Sequence, residues 1–163
     1  MEWYDLSPYW DELRLKADER DGQKRGYSST RNWSKHSTHF IGLLGEKAVG
    51  LAVGLDVDLD LRAGGDGGRD FICDGKNYEI RSTQYWKDPH LKQKPDAKFW
   101  ADFYVSVGID VENRRARIAG WATQNDVRSA KARNYGYGDM LTIESQNLRK
   151  GLPPGFKGGL IDE

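Results

Sequence analysis

Cysteine is nearly absent: the 163 residues contain one, Cys73. A lone thiol cannot close an intramolecular disulfide and cannot build a four-cysteine zinc ribbon, so the chain reads as one from a reducing compartment. The N-terminal MEWYDLSPYWDELRLKADER has no basic segment followed by an apolar run, and no stretch of about 18 apolar residues occurs anywhere. Neither a secretory signal nor a membrane span is expected. Net charge is missing as well, with 25 Lys plus Arg against 25 Asp plus Glu. By itself that balance argues against a polyanionic partner. The signatures of several enzyme classes are also lacking. There is no Gly-any-Ser-any-Gly elbow, Cys73 has no neighbouring His, and the Gly-rich run Ala63 to Asp70 lacks the Lys-Ser/Thr of a phosphate-binding loop. An EF-hand counted from Asp56 fails because Leu61 and Gly67 stand where Gly and Glu are required.

What is present is the composition of a globular protein, 37% hydrophobic and 31% charged, with 19 glycines marking many turns. A chain of this size can bury roughly 70% of its unfolded surface without staples. No repeat or linker divides it, so a single domain is expected.

The zero charge sum conceals an uneven order. Gly22 to Gly45 holds no acid, but holds Lys24, Arg25, Arg31 and Lys35 with His36 and His39. Asp56 to Glu79 holds seven acids, and bases return at Arg81, Lys87, Lys92, Lys94 and Lys98. Solvated faces on separate elements would account for such clusters. An acidic centre between basic flanks is also what a metal-dependent nuclease needs, carboxylates for the cation and bases for the phosphate track. His36 and His39 share helical spacing but have no third convergent ligand, and Tyr27, Trp33, Tyr85 and Trp86 could stack on unpaired bases or pack internally.

Local patterns suggest the elements. Ser7-Pro8 followed by Asp11 and Glu12 opens a helix expected to reach about Arg20, with a polar loop over Gly22 to Asn32. Phe40, Ile41, Leu43, Leu44, Ala48, Val49, Leu51, Ala52 and Val53 recur at helical spacing, with Glu46 inside that helix. Leu55 to Leu61 alternates as a strand. Phe71 to Cys73 and Asn77 to Thr83 read as strands joined through Asp74-Gly75, a favoured hairpin pair. Ala101 to Ile109 and Arg114 to Trp121 read as two more, and HLKQK as an extra strand. Thr123 with Asp126 opens a helix expected to reach about Ala132. Gly151 to Glu163, rich in Gly and Pro, is expected to wrap the surface.

The carboxylates thus fall in the order Glu46 on a helix, Asp70 at a strand entry, and Glu79-Ile80-Arg81 on the hairpin partner. Asp70 and Glu79 can end side by side, and residues flanking Ile80 share one face. Adjacent carboxylates repel unless a cation sits between them, and oxygen ligands with room for water suit Mg²⁺ or Mn²⁺.

In this order GEKA, GGDGGRDF, YEIRST and the strands ADFYVSVGI and ARIAGWAT, over about residues 36 to 130, the chain resembles the PD-(D/E)XK nuclease superfamily. The resemblance implies an α/β restriction-endonuclease-like fold, a mixed central β-sheet flanked by helices. It implies metal-dependent DNA cleavage with catalytic and metal-binding roles for Glu46, Asp70 and Glu79, and a metal-facing carbonyl on Ile80. Gln84 stands near a position where some members place a site glutamine. Arg81 stands where the family has lysine; it stays charged and cannot act as a general base, but it could hold the scissile phosphate or mark a protein that binds without cutting. Lys92 or Lys94 could supply the missing ammonium. Lys24, Arg25, Arg31, Lys35, Lys87, Lys92 and Lys94 are the expected DNA contacts. The expected setting is the cytoplasm of a bacterium or a phage-infected host, and a homodimer would supply two sites for two strands. Because seven acids crowd the expected metal site, DNA affinity is expected to rise when the divalent cation binds.

Overall fold

The computed structural model describes residues 2–25, 38–54, 71–73 and 75–154. Strand β1 (Tyr4–Asp5) leads through a 3₁₀ turn at Ser7–Tyr9 into helix α1 (Trp10–Arg25). Pro8 stands in the first turn of that 3₁₀ segment, where its missing N–H costs nothing. Helix α2 (Thr38–Val53) follows. The first helix starts later and ends later than its signals suggest. Gly22 lies inside it rather than beginning a loop, because Gln23, Lys24 and Arg25 are good helix formers and two of them place positive charge at the negative helix end.

The strands are β2 (Phe71–Cys73), β3 (Lys76–Thr83), β4 (Leu91–Gln93), β5 (Phe103–Asp110), β6 (Arg115–Thr123), β7 (Lys131–Asn134) and β8 (Asp139–Ile143). Among the described residues they form a five-stranded sheet in the order β1-β6-β5-β3-β2 and a three-stranded sheet in the order β4-β8-β7. The larger sheet is mixed: β3 runs parallel to β5 and the other pairs are antiparallel. The molecule is therefore a mixed α/β protein. Gly75, at φ +77°, supplies the left-handed turn residue between β2 and β3.

Two cores lie on opposite faces of the larger sheet. Trp10, Leu13 and Ala17 of α1 and Phe40, Leu44, Ala48 and Val49 of α2 pack on Tyr78, Ile80, Val105, Val107 and Ile109. On the other face Leu91, Tyr104, Ala122, Val127 and Leu148 form a smaller cluster. Central strand β5 is buried on both faces from Tyr104 onward. A bulge reconciles β6 with both cores: Ser106 pairs with Gly120 and Val107 with Ile118, leaving Ala119 extra. Ile118 before it and Trp121 after it consequently both serve the helix-side core, while Ala122 joins the other.

The crossover from β3 to β5 carries strand β4 rather than a helix, in keeping with Pro89 and Pro95. Helix α3 (Gln124–Arg128) begins at the expected capping box, with Thr123 Oγ1 accepting from Asp126 N at 3.0 Å and Asp126 Oδ2 accepting from Thr123 N at 2.9 Å. It stops well short of Ala132, because Lys131–Asn134 is recruited as a strand by β8. The expected strand Leu55 to Leu61, the turn Ala63 to Asp70 and the tail beyond residue 154 lie outside the described residues. No helix among the described residues is long and apolar enough to cross a membrane.

Asp126 also receives Arg149 Nε at 2.8 Å and Nη2 at 3.1 Å. The Arg149 hydrogen bonds, opposed in part by burial and joined by the Thr123 amide, hold its carboxyl below the ordinary carboxylate range. Burial of Asp110 acts the other way, yet hydrogen bonds from Asn113 and Arg115 overcome it and that carboxyl is lowered too. A pKa depressed in the folded state contributes stability that is present at neutral pH and lost as pH falls from about 4 through the folded value. Urea midpoints should therefore drop in acid. Asp126→Ala should lose about 1 kcal/mol at pH 7, as capping residues do, and show a shallower acid decline.

Candidate functional site

The site is organised by β3. Its alternation sends Tyr78 and Ile80 into the helix-side core and Glu79 and Arg81 to the opposite face. Residues two apart on one strand are neighbours, and Arg81 Nε lies 2.9 Å from Glu79 Oε2. Glu79 is mostly covered, at 13% side-chain exposure against 37% for Arg81. The contact is an ion pair by charge and distance, while the Nε hydrogen itself finds no acceptor. The guanidinium is held from its other end by buried Gln93 on β4, whose Oε1 accepts from Arg81 Nη2. Next to this pair in the sheet, Tyr104 opposite Glu79 is wholly buried. Burial raises its phenol pKa, opposed by the Ala101 amide bond, and the Glu79 charge raises it further.

On the opposite side α2 approaches β3 at one point. A Cβ on Gly45 would overlap Ser82 Oγ and come within 3.0 Å of Ser82 Cβ. Glycine at this position is what lets the helix carrying Glu46 lie directly on the strand carrying Glu79 and Arg81. Glu46 is partly buried on α2. Strand β2 pairs with β3 so that Phe71 stands opposite Tyr78. Asp70 itself lies outside the described residues, as do Arg31, Lys35, Tyr27, Trp33 and His36. Lys24 and Arg25 fall in the last turn of α1.

The face bearing Arg81 opens into a cleft of about 420 Å³ lined by Arg81, Thr83, Tyr85, His90, Lys92 and Met140 among others. Lys92 thus shares the cleft with Arg81, as a residue supplying a second positive charge should. Lys87 and Lys94 are exposed on the same crossover, and Gln84 is exposed just past β3. Gln84 is not the glutamine that touches Arg81; Gln93 is. Sequence reasoning missed it because the contact spans a crossover whose path local patterns do not specify. The two aromatics after β3 part company. Tyr85 is 77% exposed on the cleft. Trp86 is engaged in packing, edge-on to Trp3 at 5.3 Å, with its carbonyl accepting from Arg117 Nε at 3.0 Å.

Asp88, His90 and Ser145 resemble a hydrolytic triad only in composition. Ser145 Oγ bonds Asp88, and His90 Nδ1 accepts the Ser145 backbone N–H at 3.2 Å. The imidazole therefore does not activate the hydroxyl. A larger groove of about 760 Å³ lies between α3 and β7–β8, lined by Lys131 and by the ion pairs Asp126–Arg149 and Arg133–Glu144, the latter at 2.7 Å.

Among the described residues no group of three or more His, Cys, Asp and Glu is arranged to hold a metal ion. The donor chemistry nonetheless suits a hard cation. Mg²⁺ is commonly held by one or two carboxylates, with waters and substrate phosphate completing its shell, and Glu79 offers a carboxylate beside the cleft that Arg81, Lys92 and Asp88 line. Glu46 stands on α2, on the sheet face opposite the one that bears Glu79, and Asp70 lies outside the described residues. Comparison with known proteins finds no matching family model, no matching curated protein and no matching solved structure.

Proposed function

We propose that the chain is a metal-dependent DNA nuclease of restriction-endonuclease-like architecture that hydrolyses phosphodiester bonds with activated water. The observation that carries this reading is the Glu79–Arg81 pair at the cleft, a carboxylate beside a guanidinium that Gln93 also holds. When bound, Mg²⁺ or Mn²⁺ supplies Lewis acidity that eases deprotonation of water and offsets charge on the phosphate. The chain's own residues do the rest. Arg81 is permanently protonated and presents several donors, so it grips a phosphate oxygen and stabilises the charge that grows on it during attack. Gln93 and Glu79 hold the guanidinium in place, which lowers the entropy lost when the phosphate arrives. Lys92 adds attraction from the cleft wall.

One observation favours a second reading, a nucleic-acid-binding or accessory protein of the same architecture. Glu79 is turned to Arg81, and an arginine cannot take the proton that a lysine could. Incubation with plasmid, single-stranded and branched DNA in Mg²⁺, Mn²⁺ or Ca²⁺ separates the two. Cutting that needs Mg²⁺ or Mn²⁺ supports the nuclease. Salt-sensitive binding without cutting, with activity appearing in Arg81→Lys, supports the binding protein. An absence of DNA binding even at low salt would overturn both.

A further inference from the structure

We propose that the β7–β8 hairpin is a stacking wall beside the Arg81 cleft and that the cleft takes an unpaired strand, its bases lying on Tyr137 and Tyr85 while Lys92 meets the phosphates. The inference deepens the nucleic-acid reading above and rests on it for the class of ligand.

The hairpin is built for presentation rather than packing. Strand β7 lies at the edge of its sheet and is exposed along its whole length. Charged edges protect sheets from pairing with other chains, which accounts for Lys131 and Arg133. It does not account for the tip. There Gly136 and Gly138, at φ +92° and +129°, turn the chain between two tyrosines. Asn134 Oδ1 fixes the turn by accepting Gly136 N at 2.7 Å. The result is a stacked pair, Tyr135 and Tyr137, with centroids 5.9 Å apart and planes 17° from parallel. Tyr135 is tethered through its hydroxyl to Thr142 Oγ1 at 3.0 Å. Lys92 Nζ sits 4.0 Å from the Tyr135 ring centroid. Tyr137 is 68% exposed. A cation, an inner ring and an outer ring are thus arranged in series, with the outer ring offered to solvent.

Position links this stack to the site. Lys92 lines the Arg81 cleft from β4 and Met140 lines it from β8, while Tyr85 stands on the same cleft. Leaving two large aromatic rings in water forgoes their burial. Tyr85 on the cleft that holds Arg81, Lys92 and Asp88, and Tyr137 joined to it through Tyr135 and Lys92, give that exposure a use. Basic side chains alone would attract any nucleic acid, but aromatic faces discriminate. Bases in a duplex are stacked on one another and cannot offer a face to a tyrosine, whereas an unpaired base can.

The test uses the full chain and a fluorescently labelled oligothymidine, with its duplex as comparison, in EDTA so that nothing is cut. Anisotropy should show the single strand bound more tightly than the duplex at equal length. Tyr137→Ala should weaken single-strand binding about tenfold and leave duplex binding within about twofold, with Tyr137→Trp restoring it. Lys92→Ala should lower the slope of log affinity against log salt by about 0.7 for a single strand. Thermal melting should leave Tyr137→Ala at the wild-type midpoint, since the ring is exposed. Equal affinity for both forms, or an unchanged single-strand affinity in Tyr137→Ala, overturns the inference. If the chain cuts duplex DNA in Mg²⁺ while Tyr137→Ala is silent, the stacking wall fails and the nuclease reading stands. If Tyr137→Ala behaves as expected and no cation supports cutting, the nuclease fails and the wall stands.

Discussion

Glu79→Gln should reduce Mg²⁺-dependent cleavage by at least about a hundredfold, the scale expected when several kcal/mol of charge stabilisation at the reacting phosphate is removed. Glutamine keeps the shape of glutamate, so the strand and its buried neighbours should be undisturbed. What it loses is the negative charge. Two effects follow with opposite signs. A cation loses a carboxylate, so cutting fails and the rise in DNA affinity on adding Mg²⁺ shrinks. Arg81, which lies 2.9 Å from Glu79, loses its counter-charge, so affinity measured in EDTA should hold or increase. A variant that merely misfolded would lose binding in both conditions. Cutting at the wild-type rate in Glu79→Gln would remove the nuclease reading.

Gly45→Ala is expected to be the most destabilising of the small substitutions considered, at about 1–3 kcal/mol, the range for forcing a methyl group into a packed interface. The added Cβ would overlap Ser82 Oγ, and rotating the hydroxyl away does not solve the problem because Ser82 Cβ is within 3.0 Å as well. Either α2 lifts from β3 or the strand shifts. Each consequence loosens the contact between the helix bearing Glu46 and the strand bearing Glu79. Urea unfolding should show a lower midpoint with an unchanged slope. Ser82→Gly removes both offending atoms, so in combination with Gly45→Ala it should recover part of the loss, a coupling a double-mutant cycle measures directly. Additive losses would mean that the two residues do not meet in solution.

Much of this architecture is written locally. The apolar spacing of α2, the turn at Gly75 with strands on both sides, and the reciprocal cap of Thr123 and Asp126 each arise from residues a few positions apart. HLKQK likewise yields the short strand β4 in a segment whose prolines exclude a crossover helix. The hairpin β7–β8 was not legible because KARN is polar throughout and has no buried face to impose alternation; its strand character comes from pairing with β8, and it cut short a helix that propensity would have continued. The bulge at Ala119 has no sequence signal either, since it answers to which core each side of β6 must meet.

The candidate site divides the same way. The amino-acid sequence by itself determined that Glu79 and Arg81 would share a face, because a strand repeats every two residues, and that a hairpin would precede them. It placed Glu46 on a helix by periodicity alone. Only the tertiary structure decided that α2 would touch β3 at Gly45, that Arg81 would be held by Gln93 from another sheet, and that Lys92 and Tyr85 would line one cleft with it. Those contacts join residues far apart in the chain, and long-range contacts are set by how layers pack rather than by local spacing. The near-absence of cysteine and of net charge excluded staples and a uniformly basic surface; the fold instead sets Arg81 and Lys92 in one cleft, with Glu79 and Asp88 beside them.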